Sequence, residues 1–368
     1  MKAFIVEPSE IRVGGVSLRE RLERMLRQMG ITDILCAPRE VPPDPPQEEV
    51  LLLGGNVLID PRIVQALISQ KGTVVAIDSR SNGAWVRASR LEPEFFHDAL
   101  TGAEFGNSIR VLQNKCNPLN IATLNDYVPK LRRHVPIYWL KIETQDDVRR
   151  AEQILIDSAE KDPSDLMAKF VHRPVENWAV ARLAHTPITP NQITLIVNIL
   201  AYLATALFAT GHLLVASLLT FLVGVTDGLD GKLARLKGMV SKVGSLEHSF
   251  DLLFEFSWIL ALGVYLSQSE GTTPLLLAAS IVTLVAFYRA VYDRFGQAAG
   301  MSLDVYSSFE NYFRRVAGRR NLFNIHILVF VLMGRPLWAL YTIFAHAGLT
   351  ALVYSVRAWS HLRRLDGE

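Results

Sequence analysis

Asp227, Asp230, Glu247, Asp251 and Glu255 are five of the eleven acids that follow position 190, and they fall within 29 positions. Asp227 and Asp230 are three apart and Glu247 and Asp251 four apart, so on helices each pair shares one face. Four carboxylates brought together must be neutralised. Hard divalent cations with oxygen ligands are the natural partners. Two Mg²⁺ or Mn²⁺ ions would cancel the charge and clamp a diphosphate. Gly228, Gly231 and Ala234 leave the face beside the acids bare, so a nucleotide can approach the backbone, and Arg235 offers a forked contact to phosphate. A proton or ion path in a transporter also uses intramembrane acids, and a solvated helix end carries them without cost. Neither requires this spacing of glycine, alanine and arginine.

The acids sit where one apolar run ends and the next begins. Ile193–Thr210, Leu213–Thr226, Leu252–Leu266, Pro274–Tyr288, Leu322–Met333 and Leu337–Val356 read as six spans, the fifth extended by its flanks, in an all-α membrane domain over 191–368. A spanning helix needs about 20 residues. Basic residues set the orientation. Lys232, Arg235, Lys237 and Lys242 follow the second run, Arg294, Arg314, Arg315, Arg319 and Arg320 the fourth, and Arg363 and Arg364 the last, whereas the opposite connections hold only Arg335. Both termini are therefore expected in the cytoplasm, with the protein in the cell inner membrane. The link over 161–190 carries His172, Arg173, Trp178 and Arg182 and reads as an interfacial amphipathic helix, with a plain linker as the alternative.

Residues 1–160 read as an α/β domain with a mostly parallel sheet. β-rich runs occur at Lys2–Val6, Asp33–Ala37, Val50–Leu53, Thr73–Ile77 and Ile137–Ile142, and Ser17–Met29 carries apolar residues at 18, 22, 25, 26 and 29, a helical period that Gly30 closes. Half of the 368 residues are apolar and a fifth are charged, which excludes a disordered chain and an ordinary soluble enzyme. The first 190 residues hold 24 basic against 25 acidic side chains and the remainder 14 against 11, so no nucleic-acid partner is expected. Two cysteines, Cys36 and Cys116, exclude a disulfide scaffold or a Cys-rich zinc site. The opening Met-Lys-Ala-Phe-Ile-Val reads as a strand rather than a signal peptide.

The segment Asp227-Gly-Leu-Asp230-Gly231-Lys-Leu-Ala234-Arg235, followed after eight residues by Gly244 and then by acids four apart, resembles the signature of the CDP-alcohol phosphotransferases, D-x-x-D-G-x-x-A-R, seven or eight residues, G-x-x-x-D-x-x-x-D. Its first half is matched in full. In the second half, an eight-residue spacing would put His248 and Leu252 at the acidic places. A seven-residue spacing puts Glu247 and Asp251 there but Val243 at the glycine, and this register keeps both carboxylates. His185-Thr-Pro-Ile-Thr-Pro190-Asn191-Gln-Ile-Thr194 is similar to the segment that opens the family's membrane domain. The resemblance, over about residues 165–365, implies six helices, often a homodimer, two metal ions, a CDP-alcohol donor, and an alcohol or phospho-alcohol acceptor. It implies metal ligation by Asp227, Asp230, Glu247 and Asp251, with Asp251 also the general base. It implies nucleotide contacts from Pro190, Asn191, Gly231, Ala234, Arg235 and Ser241. Arg314, Arg315, Arg319 and Arg320 would serve as a positive-inside anchor, or hold an acceptor phosphate or anionic membrane lipid. Two function classes follow: a membrane phosphotransferase that releases CMP, or an inactive membrane scaffold of the same fold.

The domain order is similar to fused proteins that join an inositol-phosphate cytidylyltransferase to a di-myo-inositol-phosphate-phosphate synthase. Tyr138-Trp-Leu-Lys-Ile-Glu-Thr-Gln-Asp-Asp-Val-Arg-Arg-Ala-Glu152 resembles an element that ends nucleotidyltransferase sheets. The chemistry of such a domain is absent from the sequence. After Val6 the chain is too short and too acidic to cradle a triphosphate. Asn56 and Lys141 stand where metal carboxylates are expected, and an amide and an ammonium cannot replace both. A degenerate nucleotidyltransferase-like domain is expected, kept as a fold, a dimer surface or a docking site for a separate cytidylyltransferase.

Overall fold

The computed structural model describes residues 1–42, 44, 46–70, 74–78, 83–88, 100, 117–129, 131–161, 166–239 and 247–367. β1 (Lys2–Val6) runs through the core, with Ala3 to Val6 all buried. β2 (Arg12–Val13) and β3 (Val16–Ser17) form a hairpin. Its turn residues Gly14 and Gly15 both have positive φ, 60° and 76°, as a two-residue turn matched to strand twist requires. The Ser17 side chain then accepts a hydrogen bond from the Glu20 N–H and starts α1 (Leu18–Gln28), which buries Leu18, Leu22, Met25 and Leu26. Gly30, at φ 87°, follows its end.

β4 (Ile34–Ala37), β5 (Val50–Gly54), β6 (Val57–Ile59), α2 (Pro61–Ser69), β7 (Val74–Asp78), β8 (Gly83–Ala88) and β9 (Asn117–Leu119) come next. Six strands make one sheet in the order β4-β1-β5-β8-β7-β9. Pairing is parallel across β4-β1-β5 and at β7-β9, and antiparallel on both flanks of β8. The sheet is thus mixed, because only residues 79–82 separate β7 from β8. That is a hairpin length, whereas a parallel crossover needs a dozen residues or more. β10 (Tyr127–Val128) and β11 (Arg133–His134) form a small antiparallel pair, and β12 (Trp139–Lys141) pairs antiparallel with β6.

α3 (Gln145–Ser158) starts at a capping box between Thr144 and Asp147. A π-helical stretch, Ala168–His172, leads into α4 (Arg173–Ala184). Then follow α5 (Pro190–Ala209), α6 (Leu213–Thr226), α7 (Leu229–Leu236), α8 (Glu247–Glu270), α9 (Thr273–Ala299), the short α10 (Leu303–Tyr306) and α11 (Ser308–Phe313), α12 (Arg320–Leu332) and α13 (Pro336–Leu365). Among the described residues five helical segments are long and apolar enough to cross a membrane: α5, α6 with α7, α8 from Ser249, α9 and α13. α12 is apolar but has 13 residues, about 20 Å of helix. Phe208, Phe254, Trp258, Phe295 and Phe323 fill the centre of the bundle, while α5 turns Leu195, Ile196, Ile199 and Leu203 outward. This helical half is an integral-membrane domain.

The two halves share a core. Val13, Leu18, Leu58, Ile142, Ala151 and Leu155 pack with Val180, Ala184, Ile193, Leu229, Leu233 and Leu236. A second contact lies further along the bundle, where Arg132 Nη1 donates to the Tyr292 hydroxyl (3.1 Å) and to Asp304 Oδ2 (3.0 Å).

Candidate active site at a helix break

The apolar run of α6 ends at Thr226, but the chain does not leave the bundle there. Asp227 caps α6, Gly228 opens α7, and the helical path continues to Leu236. A Cβ on Gly228 would stand 2.8 Å from Glu176 Oε1. The bare face expected to admit a nucleotide is at this position filled by a carboxylate from the linker. At Gly231 the guanidinium of Arg235 lies 3.3 Å from the corresponding point.

Asp227 and Asp251, on α6 and α8, come together although each helix packs chiefly on others. α6 lies against α5 and α12, and α8 against α5 and α9. Arg320, at the start of α12, joins them. Its Nη2 stands 2.6 Å from Asp227 Oδ2 and its Nη1 3.4 Å from Asp251 Oδ1. The arginine is 9% exposed at its side chain and the two aspartates 31% and 28%, so the pair of carboxylates faces an opening while the guanidinium closes its back. Asp230 is buried, accepting the Thr194 hydroxyl from α5 and the Gly231 N–H at 2.6 Å.

Glu176 belongs to an ionic network at the base of this break. Lys232 Nζ lies 2.8 Å from Glu176 Oε2 and 2.7 Å from Asn177 Oδ1. Glu160 is 3.1 Å from Arg173 Nη1 and accepts from Asn177 Nδ2 at 3.0 Å. Burial pushes the Glu176 carboxyl up, Lys232 pulls it down, and the net is above the ordinary glutamate value. Along the linker His172, Glu176, Val180 and Ala184 face inward at four-residue intervals, and Phe170 and Trp178 point out, 67% and 63% exposed. Lys169 and Arg182 lie over those two rings.

Other residues singled out in the sequence are placed as follows. Pro190 is buried at the first position of α5, and Asn191 beside it is exposed. Ala234 is half-buried. Arg235 donates through Nε to the Ala159 carbonyl at the end of α3, 2.9 Å away. Ser241 lies outside the described residues, as does the side chain of Glu247, whose backbone opens α8. Glu255 is fully buried and pairs with Arg289 of α9. The four arginines expected in one cluster are spread. Arg314 is buried against Asp304, Arg315 stacks over Tyr312, Arg319 is half-buried, and Arg320 is in the carboxylate site. Sequence reasoning missed the roles of Glu176, Lys232 and Arg320. The four-residue period of the linker was a usable signal for Glu176. An arginine opening an apolar helix was the signal for Arg320.

The donor set tests for a metal. Asp227 and Asp251 present carboxylate oxygens from two helices, accessible and within reach of each other, which fits a hard divalent cation. Among the described residues no group of three or more His, Cys, Asp or Glu gathers at one point. In the amino-terminal domain, Asn56 and Lys141 are adjacent: the Asn56 carbonyl accepts the Ile142 N–H at 2.9 Å, and Lys141 pairs with Glu143.

Five apolar helices, two of which carry a partly open pair of carboxylates, define an integral-membrane domain with an acidic site. Residues 187–353 match the sequence model of the CDP-alcohol phosphatidyltransferase family, and this part of the chain is a domain of that family. The Aquifex aeolicus protein named bifunctional IPC transferase and DIPP synthase is 25% identical over 225 residues, 60% of this chain and 50% of that protein. The phosphatidylinositol phosphate synthase of Corynebacterium glutamicum is 35% identical over 120 residues, 32% of this chain and 55% of that one. The chain thus spans about half the length of these curated relatives. The crystal structure of Mycobacterium tuberculosis phosphatidylinositol phosphate synthase with CDP-DAG bound superposes with a TM-score of 0.40 at 15% identity, covering 51% of this chain and 94% of that one.

Proposed function

We propose that this protein is a membrane phosphotransferase that moves a phosphoalcohol, of phosphatidyl or phosphoinositol type, from a CDP-alcohol to an acceptor hydroxyl and releases CMP. The observation that carries the reading is the convergence of Asp227 and Asp251 on one partly open point, one turn from Asp230 and inside the matched family segment. Asp227, Asp230, Glu247 and Asp251 would hold two Mg²⁺ or Mn²⁺ ions. When bound, these supply positive charge to the diphosphate and to the departing CMP. Asp251 takes the proton of the acceptor hydroxyl, whose oxygen bonds to the β-phosphorus as the bond from that phosphorus to the CMP oxygen breaks. Arg235, Gly231, Ala234 and Ser241, with Pro190 and Asn191, line the nucleotide. Of the arginines at 314, 315, 319 and 320, Arg320, beside the carboxylates, serves the acceptor phosphate.

The domain plan in this reading is a degenerate nucleotidyltransferase-like module over 1–160, an interfacial link over 161–190 and six spans from 191. α12 makes the sixth crossing, both termini face the cytoplasm, and the assembly is a homodimer. The outward Phe170 and Trp178, each beside a cation, support the interfacial placement. The test is CMP release from CDP-diacylglycerol or CDP-inositol with Mg²⁺. It is expected for the native chain and expected to be lost in Asp227→Ala and Asp251→Ala. Activity that survives both substitutions would overturn the site.

The Arg320 fork favours a second reading. A guanidinium that neutralises both carboxylates suits an inactive scaffold of the same fold. No CMP from any CDP-alcohol, together with unchanged lipid and polar metabolites on gene deletion, would establish that reading instead.

A further inference from the structure

The helix that carries Asp230 and Arg235 is gripped at its far end by the amino-terminal domain. α7 has eight residues, and the last carbonyls of any helix have no partner within it. The N–H groups of Lys237, Gly238 and Met239 meet the Leu233, Arg235 and Ala234 carbonyls, and α1 holds the two carbonyls just past the helix end. Arg24 Nη1 donates to the Lys237 carbonyl at 2.7 Å, and Gln28 Nε2 to the Gly238 carbonyl at 3.1 Å. A cation is also the charge that a helix carboxyl end favours. The hairpin tip closes the other side. A Cβ on Gly14 would sit 3.1 Å from Leu236 Cγ, and one on Gly15 would fall 2.0 Å from the Ala184 carbonyl oxygen. The Gly14 N–H donates to Glu152 of α3 at 2.8 Å. Arg235 in turn holds the end of α3 through the Ala159 carbonyl. Leu233 and Leu236 are buried in the core that the two halves share.

We propose that the amino-terminal domain is a positioning clamp for α7. The β2-β3 tip and the side chains of Arg24 and Gln28 fix the helix end, and thereby the placement of Asp230, Gly231 and Arg235 toward the nucleotide of the donor. The segment after β1, which is too short to cradle a triphosphate of its own, supplies the contact surface instead. The kinetic consequence rests on the function proposed above, whereas the structural one does not.

The test uses the full chain with Gly15→Ala, Arg24→Ala and Arg24→Lys. Gly15→Ala meets backbone at a positive φ and cannot dock unchanged. Arg24→Ala keeps the fold and removes one cap, and Arg24→Lys can still donate to a carbonyl. Hydrogen exchange of the 229–238 amides is expected to accelerate about tenfold in Arg24→Ala and more in Gly15→Ala, with α9 amides unchanged and Arg24→Lys close to native. Native-like protection of 229–238 in both Gly15→Ala and Arg24→Ala would overturn the clamp. With whichever of CDP-diacylglycerol and CDP-inositol the native chain turns over, the donor KM is expected to rise several-fold while the acceptor KM holds. A general loss of folded protein would lower kcat alone, and that pattern would also count against it. Should the native chain release no CMP, the function fails while the exchange measurement still decides the clamp. Should Gly15→Ala not accumulate, Arg24→Ala with Gln28→Ala carries the same measurement.

Discussion

Arg320 Nη2 stands 2.6 Å from Asp227 Oδ2, which ties the first turn of α12 to the last residue before the α6–α7 break. One guanidinium serves both Asp227 and Asp251, so a negative charge is left over at the opening. Removing it as Arg320→Met leaves two adjacent carboxylates. Breaking a buried pair costs about 3–5 kcal/mol, and with both aspartates about a third exposed the expected loss is about 2 kcal/mol. Millimolar Mg²⁺ is expected to restore part of that loss and EDTA to deepen it. Thermal unfolding in detergent reads both. A melting temperature indifferent to Mg²⁺ in native and variant chains would count against a divalent site.

The Glu176 carboxylate occupies the space beside Gly228. Gly228→Ala forces that side chain from Lys232, and an overpacking cost of about 1–3 kcal/mol is expected. Glu176→Ala in the same chain makes room for the methyl. The double variant is therefore expected to lose less than the sum of the two single variants, by at least about 0.5 kcal/mol. Strict additivity would mean that the two residues do not meet.

Lys232 is the cation between Glu176 and Glu160. Lys232→Met is expected to cost about 3 kcal/mol at pH 7, since it strands buried carboxylates. The folded Glu176 carboxyl already titrates above its ordinary value of 4.5 because of burial, and losing Lys232 moves it higher. A raised carboxyl favours the fold below pH 4.5, and that contribution is lost as pH rises through the folded value. The variant should therefore recover stability as pH is lowered from 7 to 5, more steeply than the native chain. Equal slopes would refute the assignment.

Glu310 behaves with the opposite sign. Burial pushes its carboxyl up, but hydrogen bonds from Arg357, Ser307 and His361 outweigh it and hold it at about 2. Its contribution is present above the ordinary value of 4.5 and is lost as pH falls through the folded one. Acid unfolding between pH 4.5 and about 2 is expected to flatten in Glu310→Gln. A slope identical to that of the native chain would place the acid-labile groups elsewhere.

The sequence by itself determined the elements and the acids they carry. Ser17 and Gly30 bracket α1 because a cap and a positive φ are local demands, and the buried stripe Leu18, Leu22, Met25, Leu26 follows from helical geometry alone. Long apolar runs became long helices, and the spacing of Asp227 and Asp230 put them within one turn, because such relations reach only a few residues along the chain. The tertiary structure decided which of those side chains meet. Asp251 and Arg320 are 69 positions apart, and no period links them. Asp230 turns to Thr194, Glu176 fills the bare face at Gly228, and the Gly14-Gly15 tip finds Ala184 and Leu236. Each of these contacts depends on how separate helices and the sheet domain pack. Packing is fixed by the sum of burial and charge over the whole chain, which no local pattern encodes.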